Sequence, residues 1–152
     1  MSSLVKSGQV RPVVICLFSR DGSILVVEGR DPRREELLYR PLGGEIRFGE
    51  YSQAALIREV REELEAEISQ PRYLGTLESM FSYDGQPGHE LVLVYDAAFV
   101  DPVMYDRSEF SFCEDNLFTF RAMWKPLADF YGGSCQLYPV GLVELLQKHG
   151  YE

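Results

Sequence analysis

Short apolar runs separated by turn residues fill the first third of the chain. Val10–Phe18 (VRPVVICLF) is nearly continuous, apolar and β-branched, which predicts a mostly buried strand. Asp21-Gly22 predicts a tight turn, with Ser23–Glu28 (SILVVE) as the hairpin partner. Asp31–Glu36 is charged and holds Pro32, so it predicts a solvated loop. Leu37–Leu42 predicts a short strand, with Pro41 marking an edge or a strand end. Gly43-Gly44 marks a corner, where backbone turns sharply or approaches a ligand closely.

The apolar period then becomes helical. Tyr51–Leu64 carries Ala54, Ala55, Leu56, Ile57, Val60 and Leu64 as a stripe, with Ser52 as the expected N-cap. Tyr73–Phe81 and Glu90–Val100 predict two more strands, joined by a loop over Ser82–His89 that contains Gly85, Pro87 and Gly88. Leu117–Trp124 predicts a further strand and Pro126–Phe130 one helical turn, broken by Gly132-Gly133. Val140–Lys148 predicts a final amphipathic helix ending near Gly150. This order predicts an α+β fold, a mixed sheet flanked by helices as an α/β/α sandwich. Regular βαβ alternation, a P-loop and a strand followed by G-x-G-x-x-G are all missing, which disfavours a doubly wound nucleotide fold.

Length and charge narrow the picture. A chain of 152 residues, 45% hydrophobic and 26% charged, predicts a single domain over residues 1–152 with a real core. A net charge of -9 disfavours DNA or anionic membranes as partners through overall charge. An anionic small molecule is still admissible if local arginines or a metal supply positive charge. Cys16, Cys113 and Cys135 are far apart and odd in number, so neither a disulfide framework nor a C-x-x-C metal site is implied. With no apolar leader in the first ten residues and no run of about 20 apolar residues, the expectation is a cytoplasmic protein. Homodimer formation is left open.

The chemistry gathers in GGEIRFGEYSQAALIREVREELEA, from Gly43 to Ala66. Glu59, Glu62 and Glu63 lie three and four residues apart, so one helical face carries three carboxylates. Each like-charge pair at that spacing costs roughly 0.2–0.5 kcal/mol, so a counter-charge is expected. Hard divalent cations such as Mg²⁺ take oxygen ligands in this way. The plain alternative is a solvated acidic face, but the glycines, Glu50 and Arg58 are also placed in fixed register with the acids.

Gly44, five residues, Glu50, seven residues, Arg58-Glu59-Val60, one residue and Glu62-Glu63 resemble the Nudix box. The box covers about a sixth of the chain, and Trp124-Lys125-Pro126-Leu127 is similar to the W-x-P-L that often precedes the last family helix. Glu65 and Ala66 stand where the family has Gly and a bulky aliphatic residue. The resemblance implies a Nudix-type fold and a Mg²⁺- or Mn²⁺-dependent hydrolase. Such an enzyme cleaves a diphosphate bond in a nucleoside diphosphate joined to another moiety, by attack of a metal-activated water. Glu59, Glu62 and Glu63 would be catalytic and metal ligands, the Gly43 carbonyl a further ligand, and Arg58 with Glu50 a structural brace. A second reading is a catalytically silent Nudix domain that binds or senses a nucleotide.

Outside the box the resemblance implies a further carboxylate. Glu114, with Asp115, and Glu90 are the candidates for metal ligand or general base, and Glu114 is preferred. His89, beside Glu90, is expected to hydrogen-bond at a strand end. Arg30, Arg33, Arg34, Arg40 and Arg47 supply guanidiniums near the site. Arg40 and Arg47 are the phosphate-gripping candidates, while Arg33 and Arg34 are expected to pair with nearby acids. Base stacking is expected from Tyr83, Phe110, Phe112 or Phe118, and Tyr83 falls where family members acting on dinucleoside polyphosphates carry Tyr.

Overall fold

The computed structural model describes residues 8–114 and 118–152, with the side chains at 113, 114, 118 and 119 left aside. Among these are nine strands: β1 (Val10–Leu17), β2 (Ser19–Arg20), β3 (Ser23–Asp31), β4 (Glu36–Glu45), β5 (Ile68–Tyr83), β6 (Gln86–Phe99), β7 (Glu109–Glu114), β8 (Phe118–Pro126) and β9 (Gln136–Leu137). Three α-helices join them: α1 (Ser52–Leu64), α2 (Leu127–Tyr131) and α3 (Leu142–Lys148).

The main sheet path runs β5-β6-β1-β4-β3-β8-β7, with β2 beside β3 and β9 beside β4. β1 pairs with β6 and β4 with β9 in parallel, and the other pairs are antiparallel. Two apolar clusters form the core. One joins Val14, Cys16, Leu25, Val27 and Leu42 to Ala55, Leu56, Val60 and Leu64 of α1. The other joins Val13, Ile15, Ile24 and Val26 to Leu127 and Phe130 of α2 and Leu142 and Leu146 of α3. The mixed sheet is therefore covered on both faces, as expected for an α/β/α sandwich.

Several expectations are corrected. Asp21-Gly22 does make a two-residue turn, with both φ values positive (47° and 77°), but it joins β3 to the short β2 and not to β1. β1 is central and is paired by β4 and β6 instead. Gly43-Gly44 is no corner. Both residues lie inside β4, which runs straight on to Glu45. Pro41 marks neither an edge nor an end: it is the last residue paired with β3 before Leu42 takes up pairing with β1. A residue without an N–H fits where a strand changes partners.

The loop expected over Ser82–His89 shrinks to Asp84-Gly85, a turn with φ of 50° and 75°. Pro87, Gly88 and His89 lie in β6. β7 was missed altogether, although EFSFCE alternates as a strand should: Phe110 and Phe112 are buried while Glu109 and Ser111 are exposed. Tyr51, not Ser52, is the N-cap of α1, and the Ser52 hydroxyl instead hydrogen-bonds the Tyr95 hydroxyl at 2.7 Å.

α1 ends at Glu65, whose φ of 53° and ψ of 38° put it in the left-handed region while its N–H bonds the Arg61 carbonyl. That conformation favours Gly, since any Cβ there costs roughly 1–2 kcal/mol. The physical reason for a Gly at this place in the box is thus visible in a chain that has Glu there. Glu65→Gly should raise stability by up to about 1 kcal/mol in chemical denaturation. Glu65→Val should lower it.

Candidate functional site

The acidic face of α1 is organised by Arg58. Its Nε and Nη2 donate to the two Glu50 oxygens at 2.8 and 2.9 Å, a bidentate pair. Nη2 also donates to the Glu45 carbonyl at 3.0 Å, tying the helix to the end of β4. Nη1 donates to Glu59 at 2.8 Å and to Glu62 at 3.4 Å. The Arg58 guanidinium, with help from the Arg47 N–H, holds the Glu50 carboxyl down to about 2, against the opposing pull of burial. The bracing role expected for Glu50 and Arg58 is the geometry observed.

Glu59 lies over β4. A Cβ built on Gly44 would fall 2.3–2.6 Å from the Glu59 carboxyl atoms, so only Gly leaves room for it. The neighbouring Gly43 serves a different need. A Cβ there would sit 1.9 Å from the Val14 carbonyl oxygen, so Gly43 permits β4 to lie against β1. Glu62 is half exposed and, besides Arg58, has Arg47 Nη2 at 3.9 Å.

Glu63 differs from the other acids. Among the described residues no donor group reaches either of its buried carboxyl oxygens, and the group beside them is another carboxyl, Glu59. Burial, and then the charge of Glu59, push its pKa well above the ordinary carboxylate value. A buried carboxyl with no partner is costly, and it is the kind of group a cation would satisfy. The donor set is all oxygen, which suits Mg²⁺ or Mn²⁺. Among the described residues no three acid, His or Cys side chains are grouped closely enough to hold an ion as they stand. Arg58 holds Glu59 and Glu62, so a cation would compete with its guanidinium for those oxygens.

A narrow cleft, with about 40 Å³ of room for the centres of water molecules, lies between the β5–β6–β1 part of the sheet and the β4–β9 part. Arg40 and Tyr83 are among the residues that line it. The Tyr83 hydroxyl donates to the Arg30 carbonyl at 3.1 Å. Arg40 is only 6% exposed, and its Nη2 has no partner. Burial lowers its pKa, while the charges of Glu90, Glu63 and Glu59 oppose that shift. Arg40 therefore stands at the seam between cleft and acid face. Arg47 does not line the cleft. It is exposed on the loop before α1, beside Glu62.

The remaining candidates separate clearly. Glu90 is not at a strand start but inside β6, buried, with Arg11 Nη1 at 3.3 Å. Glu114 ends β7 and is not in a loop, and its side chain lies outside the described residues, as do Asp115 and the Phe118 side chain. Phe110 and Phe112 belong to the core cluster and also line a pocket beside Glu62 and Glu63. Arg34 pairs with Asp31 at 3.8 Å, whereas Arg33 finds Asp84 at 4.0 Å. Two residues escaped the sequence reading. Arg11 is almost fully buried and bonds both Glu45 and Glu90. Ser79 lines the cleft with an unpartnered hydroxyl. Each carried a signal: a charge inside an apolar strand, and a hydroxyl in the inward row Leu77, Ser79, Phe81.

A NUDIX-domain family model matches residues 8–135. No protein of curated function matches the chain. In three dimensions it is similar to a Nudix hydrolase from Nitrosomonas europaea, at 17% identity and a TM-score of 0.63, over 93% of this chain and 88% of that one. It is similar to a MutT Nudix hydrolase from Burkholderia pseudomallei at 22% identity and a TM-score of 0.63, over 91% and 97% of the two chains. A structure described as an ADP compounds hydrolase shares 17% identity and a TM-score of 0.61, over 95% and 77%. No helix among the described residues is long and apolar enough to cross a membrane. With the family model spanning most of its length, the chain belongs to the Nudix family and is, by class, a pyrophosphohydrolase.

Proposed function

We propose that the protein is a divalent-metal-dependent hydrolase of a nucleoside diphosphate joined to another moiety. The observation that carries this reading is Glu63, whose two buried carboxyl oxygens have no partner on the face that Glu59 and Glu62 share. Glu59, Glu62, Glu63 and the Gly43 carbonyl would hold Mg²⁺ or Mn²⁺. Such an ion, when bound, neutralises phosphate oxygens and makes water a better nucleophile.

The chain's own residues do the rest. The cleft beside Arg40 receives the substrate and keeps its diphosphate next to the acid face. Water oxygen forms a new bond to one phosphorus as the P–O bond of the anhydride bridge breaks, giving two phosphorylated products. Glu63, buried beside Glu59 on the acid face, is assigned the proton that the water releases. Glu90 is poorly suited to that task because Arg11 already engages it. Arg58 and Glu50 touch no substrate in this reading and set the pose of Glu59 and Glu62.

A panel of diphosphate compounds incubated with Mg²⁺, with product masses and ¹⁸O uptake from water, tests the activity and names the attacked phosphorus. Glu63→Gln should lower metal-dependent turnover by at least about 100-fold. The same variant should melt no lower than the parent in the absence of metal. Full activity in it would sink the role assigned here.

The brace predicts an acid limb. Glu50 has a folded pKa of about 2 against an ordinary 4.5, so its stabilisation is present above pH 4.5 and is lost as pH falls towards 2. In denaturation followed against pH, Glu50→Gln should flatten this loss. Arg58→Met should cost about 2 kcal/mol at neutral pH, together with a drop in turnover.

A further inference from the structure

The cleft carries two buried hydrogen-bond donors that no described residue satisfies. Arg40 Nη2 and Ser79 Oγ both lack a partner, in residues only 6% and 1% exposed. Ser79 stands directly across from Glu90 in the β5–β6 pair, and Glu90 in turn across from Arg11 in β1. Native interiors rarely leave such groups unsatisfied, at a cost of roughly 1–3 kcal/mol each. Arg40 and Ser79 line one cleft open to solvent, so a ligand that enters it meets both groups.

Charge decides what kind of group that is. Asp31, Glu36 and Glu90 line the cleft against Arg34 and Arg40, so carboxylates outnumber guanidiniums. A phosphate placed at Arg40 would bring two negative charges towards the buried Glu90, a repulsion that Arg11, 3.3 Å from Glu90, reduces but does not remove. An uncharged acceptor meets the same donors without that repulsion. The walls agree, since Val13, Ile15, Leu38 and Val92 are apolar. Phe81 adds an aromatic face, its ring pressed so closely on Gly88 that a Cβ there would sit 2.4 Å away. A flat heterocycle with carbonyl oxygen on its edge suits such walls, and arginine is a common reader of carbonyl and ring-nitrogen acceptors on bases.

We propose that Arg40 and Ser79 bind the carbonyl edge of a nucleobase in this cleft, so that the protein prefers guanine- or uracil-type bases to adenine. The phosphates then lie outward, at the acid face of α1. This inference rests on the nucleotide reading above. It assigns Arg40 to the base and not to phosphate.

The test is calorimetric binding of nucleoside monophosphates to the full chain in EDTA. These ligands have no anhydride bond, so the result is blind to hydrolysis. The guanosine or uridine monophosphate should bind at least about tenfold more tightly than adenosine monophosphate or ribose 5-phosphate. Ser79→Ala should weaken that ligand about fivefold or more while leaving the melting temperature of the free protein unchanged or higher, because it removes an unsatisfied hydroxyl. Arg40→Lys should weaken it further while keeping the charge. Equal binding of adenosine monophosphate or ribose 5-phosphate would overturn the proposal. So would failure of all four ligands to bind, or unchanged binding in both variants. Metal-dependent cleavage of nucleotides alongside any of those results would leave the hydrolase reading standing. Base binding without cleavage would do the reverse.

Discussion

Arg58 answers a problem that its own helix creates. Glu59, Glu62 and Glu63 crowd one face, and two unit charges about 4 Å apart repel by roughly 1 kcal/mol in water and about 4 kcal/mol near a protein surface. The guanidinium contacts Glu50, Glu59, Glu62 and the Glu45 carbonyl, all within 3.4 Å. It thereby offsets the repulsion and fastens β4, the following loop and α1 to one another. Glu63 is the acid this arrangement leaves out, and its carboxyl is the one without a partner. A face whose acids are part neutralised and part orphaned is stable enough to fold, and it is the face to which the metal-holding role is proposed.

β4 is the other half of the device. It leaves β3 at Pro41, joins β1 at Leu42, and then presents Gly43 to β1 and Gly44 to Glu59. One strand therefore serves both parts of the sheet, the packing of the acid face, and the cleft through Arg40. Backbone leaves no room for a side chain at Gly43, and a side chain at Gly44 would displace the Glu59 carboxyl from its place. Arg40, three residues earlier, connects the two regions electrically, because its charge is felt by Glu90 in the cleft and by Glu59 and Glu63 on the helix.

Local reading succeeded where the signal was local. The helical stripe through Leu56, Val60 and Leu64 gave α1 almost to the residue. Turn chemistry at Asp21-Gly22 was legible, yet its strand partner was not, because pairing is decided by which apolar face each strand must bury. Pro87 and Gly88 read as loop, although a strand with Phe81 lying over Gly88 accommodates both. β7 was overlooked because its alternation is short and lies between polar segments.

The sequence by itself determined the chemistry of the acid face. Helical spacing puts Glu59, Glu62 and Glu63 together whatever surrounds them, and the register with Gly44, Glu50 and Arg58 names the family. It also marked Glu65 as the place where the box departs from its pattern. Only the tertiary structure decided which polar groups are left without partners. Burial and hydrogen bonding depend on what non-neighbouring strands bring alongside. Arg11 therefore claims Glu90 from 79 positions away, while Arg40 and Ser79, brought to one cleft by β4 and β5, are left without a partner among the described residues.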